Sequence, residues 1–208
     1  MTSPIYQIAI GNHNVAGIQA WKAMPQAERD EMNKKQMASL DAVGGKTILS
    51  CYSAWTDEEH PWWVLIRFPS LEARVQHTRT LAEIGWLDLM DAFTLLGTSE
   101  SEPAEVTFPN PIYKLWVIRS DPAGGQAQNS MTKDLAATIF EKHDAIYAET
   151  GSITMIQCNS YWCSEAYPTF GISAYPNIEA NMKVMQVLAD LGWQAYVDSL
   201  SLLGISVD

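Results

Sequence analysis

The sequence predicts an α+β protein built from two tandem copies of one small βαββαβ unit. Three observations predict it. First, residues 4–97 moved along by 107 positions fall on residues 111–204 without a gap, with 28 identities among the 94 pairs. Pro4-Ile5-Tyr6 lands on Pro111-Ile112-Tyr113. Gly44, Thr47, Cys51, Ser53, Trp55 and Pro61 land on Gly151, Thr154, Cys158, Ser160, Trp162 and Pro168, and Gly85-Trp86 on Gly192-Trp193. Second, each copy runs through β-rich alternating segments and helix-forming segments in the same order. Third, the copies are joined by an acidic stretch with two prolines, residues 98–110, that reads as a surface linker. A two-fold repeat of this length means two copies of one domain-like unit, residues 1–97 and 111–208, and not a solenoid of many short repeats.

Each element has a local reason. Residues 4–11 alternate and are rich in β-formers, so they predict a first strand. Residues 17–43 are helix formers; Pro25 predicts a restart there, and Gly44-Gly45 a stop. Residues 46–55 and 62–68 predict a pair of strands around the polar loop Asp57-Glu58-Glu59-His60-Pro61. Pro69 closes the second of them, and Ser70 caps a helix that runs to about Gly85. A fourth strand is expected near 92–97. The second copy predicts strand 111–118, helix 130–149, strands 152–162 and 169–175, helix 177–191 with Asn177 as cap, and strand 199–206.

The βαββαβ order is the ferredoxin-like split βαβ unit. It leaves one sheet face without helices, and a half-apolar face must be covered. Two tandem ferredoxin-like repeats therefore predict a pseudo-symmetric α+β barrel with its helices outside. The duplication, the topology and the passages IRFPSLEA and ISAYPNIEA resemble the dimeric α+β barrel superfamily, here as a fused tandem. That resemblance implies a choice among cofactor-free monooxygenases, isomerases, polyketide cyclases and lyases, and haem proteins of the chlorite dismutase and haem-degrading types. It selects none of them.

Bulk properties narrow the partners. The chain has 208 residues, is 47% hydrophobic and carries a formal net charge of −11. Nucleic acid is not expected, because phosphates need a basic patch. There is no apolar run of membrane-spanning length, and Met1 is followed by Thr-Ser-Pro, so no membrane and a cytoplasmic compartment are expected. Cys51, Cys158 and Cys163 have neither zinc nor disulfide spacing. The loop Asp57–His60 reads as solvated, so no metal site is expected. The fused pair already supplies a dimer-like arrangement, so a monomer suffices, with homo-oligomers left open.

Polarity then points to chemistry. Taking residues shared by the halves as the helix-facing side, Thr47, Leu49, Cys51, Ser53 and Trp55 pack under helices and the opposite face lines the lumen. The lumen then receives Gln7, Tyr52 and Phe68 from the first copy. From the second it receives Lys114, Trp116, Gln157, Asn159, Tyr161, Ser173 and Tyr175, the more polar set. The leading expectation is a cofactor-independent enzyme that moves protons on a small, partly apolar organic molecule, as a cyclase, isomerase, lyase or monooxygenase would. Lys114, Tyr161, Asn159 and Gln157 are its catalytic candidates. Tyr52, Trp116, Tyr175, Ser173, Gln7 and Phe68 wall the substrate, with His13 and His60 near the barrel mouth. No cofactor is expected on this reading. The alternatives are a non-catalytic small-molecule-binding module and a haem protein. For haem, the resemblance implies a helix histidine as axial ligand, and the candidates are His143 and His77. The haem-degrading pattern of Trp followed ten residues later by His is missing.

Overall fold

The protein is described by a computed structural model, which covers residues 4–12, 15–119 and 131–207. His13 lies outside the described residues. The chain forms two compact units, residues 1–99 with 207–208 and residues 100–206.

Unit 1 contains β1 (Ile5–Asn12), α1 (Val15–Ala23), α2 (Gln26–Ala42), β2 (Lys46–Tyr52), β3 (Trp62–Phe68), α3 (Leu71–Glu83), α4 (Trp86–Leu89) and β4 (Asp91–Gly97). Its antiparallel sheet has the order β4-β1-β3-β2. Unit 2 contains β5 (Ile112–Arg119), α5 (Lys133–Thr150), β6 (Ile153–Asn159), β7 (Thr169–Tyr175), α6 (Ile178–Asp190), a short 3-10 turn at Trp193–Ala195 and β8 (Asp198–Ser206). Its sheet repeats that order as β8-β5-β7-β6. The architecture is therefore α+β with antiparallel ferredoxin-like sheets. The expected closed barrel is not confirmed, since β4 and β6 each have one hydrogen-bonded neighbour in the sheet.

Local signals act as the sequence predicts. Pro25 separates α1 from α2 and occupies the N-cap of the latter. Ser70 and Asn177 cap α3 and α6 by accepting from the amides of Ala73 at 3.2 Å and Ala180 at 2.9 Å. Gly44 and Gly151 take φ +68°, the left-handed geometry that ends α2 and α5 at no steric cost. Within residues 98–110 the Ala104 amide donates to the Met155 carbonyl at 2.8 Å. No helix of the described residues is long and apolar enough to cross a membrane.

The assignment of sheet faces requires a correction. In unit 1 the helices pack on Ile5, Ile66 and Phe68 through Leu40, with Val43, Val64 and Leu96 beside them. In unit 2 Tyr175 packs on Ile146 of α5 and on Ala180 and Val184 of α6, with Ile112, Tyr147, Val187 and Leu188 around them. The face expected to line a lumen, that of Gln7, Phe68, Lys114, Ser173 and Tyr175, is thus the face under the helices. The other face holds Tyr6, Ile8, Ile10, Trp63 and Leu65, and in unit 2 Leu115, Val117, Phe170 and Ile172, all fully buried. The inversion follows from taking residues shared by the halves as the helix-facing side: of the shared strand residues, Tyr6, Cys51 and Leu95 lie on the face away from the helices. Register shifts between Thr47 and Leu49 and between Thr154 and Ile156 add a local exception, so Thr47 sides with Ser50 and Tyr52 while Leu49 sides with Cys51. On the helix side, sheet and helix residues have changed together: Phe68 with Leu40 in one unit, Tyr175 with Tyr147 in the other.

Candidate functional site

Cross-strand register gathers the second copy's polar residues under α5 and α6. Lys114 of β5 stands opposite Ser173 of β7, Trp116 opposite Gly171, and Ile112 opposite Tyr175. On β6, Thr154 pairs with Ser173 and Gln157 with Gly171. Directly opposed residues share a face, so Lys114, Trp116, Gln157, Ser173 and Tyr175 form one surface. Asn159, opposite Thr169, continues it. Thr154, Gln157 and Asn159 are all exposed although they lie on the helix side, so the β6 edge of this surface is open along its length.

The floor is built around a size exchange. Unit 1 places Ala9 against Val64, and unit 2 places Trp116 against Gly171. A Cβ on Gly171 would collide with Trp116 Cζ2 and come within 2.7 Å of the Ile156 carbonyl oxygen. Glycine is required there because the indole covers the strand backbone. The indole N–H donates to Ser173 Oγ at 3.3 Å.

Tyr147 of α5 closes the deep end. Its hydroxyl donates to Ser173 Oγ at 2.9 Å and lies 3.1 Å from the Tyr175 hydroxyl. Burial pushes the Tyr175 hydroxyl up, and the neighbouring Tyr147 adds to it, so it stays protonated at every ordinary pH. Lys114 reaches along the sheet to α6, where its Nζ donates to Met185 Sδ at 2.8 Å. Burial lowers its pKa to about 8.

His143 lies on the same side of α5. Ile139, His143, Ile146 and Tyr147 follow helical spacing, and Ile139 and Ile146 are buried. The His143 ring is 4.1 Å from the Tyr147 ring, tilted by 34°. Its Nδ1 is 3.2 Å from Asp144 Oδ1, which leaves Nε2 as the nitrogen available to a ligand. The α5 crossover joins the parallel strands β5 and β6, so it runs back along β5. His143 therefore stands about 6 Å from Tyr147 along the axis, toward the row of Trp116, Gly171 and Gln157.

The remaining candidates sit elsewhere. Tyr161 lies beyond the end of β6, is 60% exposed, and its amide donates to Asn159 Oδ1 at 3.0 Å. The structure therefore places Tyr161 in the hairpin and uses Asn159 to brace it. Tyr52, Gln7, Phe68, His60 and His77 belong to unit 1. Tyr52 is exposed at a strand end, and Phe68 is core. Gln7, the counterpart of Lys114, is buried with Oε1 unpartnered. His60 sits in its loop, with Nδ1 3.2 Å from Asp57 Oδ2. His77 is 2% exposed, bonds Ser39 Oγ through Nδ1 at 2.8 Å and packs on Phe68. It is a satisfied core histidine. Sequence reasoning missed Tyr147, Met185 and the special place of Gly171. The i, i+4 spacing of Ile139, His143 and Tyr147 was the signal for the first.

No family profile and no curated protein sequence matches the chain. Solved structures do. A substituted chlorite dismutase from Candidatus Nitrospira defluvii superposes with TM-score 0.75 at 11% identity, covering 100% of this chain and 93% of that one. The same enzyme in complex with imidazole gives 0.74 at 9%, covering 100% and 93%. A haem-binding protein from Thermus thermophilus gives 0.71 at 8%, covering 100% and 92%. At these identities the likeness establishes the fold alone.

Proposed function

We propose that the protein binds haem in unit 2, between its sheet and α5, with His143 Nε2 as the axial ligand. The observation that carries this reading is His143 on the sheet-facing stripe of α5, above a polar sheet surface whose β6 edge is exposed. Gln36 occupies that position in unit 1. The likeness to chlorite dismutases and to a haem-binding protein supports the same choice. The cofactor-free proton-transfer enzyme gives way to it. Of that enzyme's four catalytic candidates, Tyr161 stands in the hairpin and Asn159 braces it. The barrel is not needed, because the proposed site is contained in one unit.

The donor set fits the group. An imidazole is a common axial ligand of haem iron, and a carboxylate on its other nitrogen fixes the tautomer and ring orientation. Asp144 is placed for that role. Tyr147, anchored through Ser173 and Tyr175, limits rotation of the His143 ring. Trp116 would supply an apolar wall, and Gln157 a neutral donor on the exposed β6 edge. Haem, when bound, would supply a redox-active iron centre. The chain's own part would be to hold that iron through His143 and to set Trp116 and Gln157 near it.

The test is an absorbance titration of the purified protein with hemin. A saturable Soret band at one equivalent is expected, lost or strongly shifted in His143→Ala and unchanged in His77→Ala. No saturable band, or a band indifferent to His143→Ala, overturns the proposal.

A further inference from the structure

Lys114 has chemistry that haem binding does not use. It is the lysine that the fold carries onto a helix-covered sheet face, and its Nζ meets a thioether, Met185 Sδ, at 2.8 Å. A thioether is a weak acceptor and carries no charge. Among the described residues no carboxylate pairs with this amine, and burial is the whole cause of its lowered affinity for protons. Its neighbours in the register are Ile112 and Trp116 along β5, Ser173 on β7 and Leu203 on β8, none of them charged. Every other lysine lies on a helix exterior or, for Lys46, at an exposed strand start.

We infer that Lys114 is a carbonyl-capturing amine, forming an imine with a small uncharged aldehyde or ketone held between β5 and α6. The nitrogen lone pair adds to the carbonyl carbon and the π electrons move to oxygen. A proton passes from nitrogen to that oxygen to give the carbinolamine. Loss of water then leaves the C=N bond, with no oxidant or reductant consumed. The weak acceptor at Met185 leaves the amine easily freed for attack. The uncharged surroundings select against carbonyl compounds bearing phosphate or carboxylate. This inference stands apart from the haem reading, and its test uses protein to which no haem has been added.

The full chain is incubated with benzaldehyde and cyanoborohydride near neutral pH, and the adducts are mapped by peptide mass spectrometry. Lys114 is expected to be trapped at least roughly tenfold faster than the exposed Lys35 and Lys183, since much more of it is unprotonated. Met185→Glu sets a carboxylate beside the ammonium and is expected to return Lys114 to the rate of those surface lysines. Trapping of Lys114 no faster than Lys35 and Lys183 in the unsubstituted protein overturns the inference. So does a Met185→Glu protein, shown by circular dichroism to be folded, that is trapped as fast as the original.

Discussion

At the scale of single residues, the two units solve the same packing problem with different chemistry. His77 and Ser39 form a buried polar pair in unit 1 where unit 2 has Val184 and Ile146 in contact. Removing one partner strands the other, so Ser39→Ala should cost about 1–3 kcal/mol in denaturant unfolding. Replacing both with the apolar pair, Ser39→Ile with His77→Val, should cost much less. The histidine also sets a pH dependence. Burial, then the nearby Arg74 charge, holds His77 below its ordinary value of 6.5, with a bond to the Ser39 backbone opposing. The unfolded chain therefore takes up the proton first. Stability from this group is complete above about pH 6.5 and is lost as pH falls toward the folded pKa. The double variant should lose less stability than the original protein between about pH 7.5 and 5.5. Equal losses would show that His77 is not the titrating group. Gly171 makes a second demand: Gly171→Ala drives a methyl into the Trp116 ring and the Ile156 carbonyl. It should destabilise by about 1–3 kcal/mol, as overpacking does, whereas Gly192, with nothing within 4 Å of its Cβ position, offers no such clash.

At the scale of elements, the sequence was read well where chemistry is local. The strand 169–175 has the predicted bounds, Pro25 divides the first helical stretch as expected, and Ser70 and Asn177 cap the helices they were expected to cap. Ser70→Ala and Asn177→Ala should each cost about 1 kcal/mol. Urea midpoints shifting by similar amounts in both would show that the repeats keep equivalent caps. What could not be read was which way the strands face. Residues shared by the halves sit on both faces, and a shift at Thr47/Leu49, repeated at Thr154/Ile156, moves Thr47 and Thr154 off the face of Cys51 and Cys158. The sequence marks neither with the glycine that often signals a bulge. Periodicity alone therefore grouped Lys114, Trp116, Gln157, Ser173 and Tyr175 correctly as one surface and assigned them to the wrong side of the sheet. His143 and Tyr147 are the helix residues that meet this surface. They were separable from it in sequence only by knowing that α5 lies over it.

At the scale of the whole molecule, the two units fill equivalent positions with different chemistry, and unit 2 carries the more polar specialisation. Unit 1 fills the space under its helices with Leu40, Ile66 and Phe68. Unit 2 places Tyr147, Ser173 and Tyr175 at the equivalent positions and adds an imidazole where unit 1 has an amide. We propose that this specialisation is a haem site organised by His143. The most direct measurement is a hemin titration of His143→Gln, which gives unit 2 the residue unit 1 carries, followed by addition of imidazole. The Soret band seen with the original protein is expected to be lost in His143→Gln and recovered with imidazole. A variant that binds hemin with the same spectrum and affinity as the original would contradict a haem site built on His143.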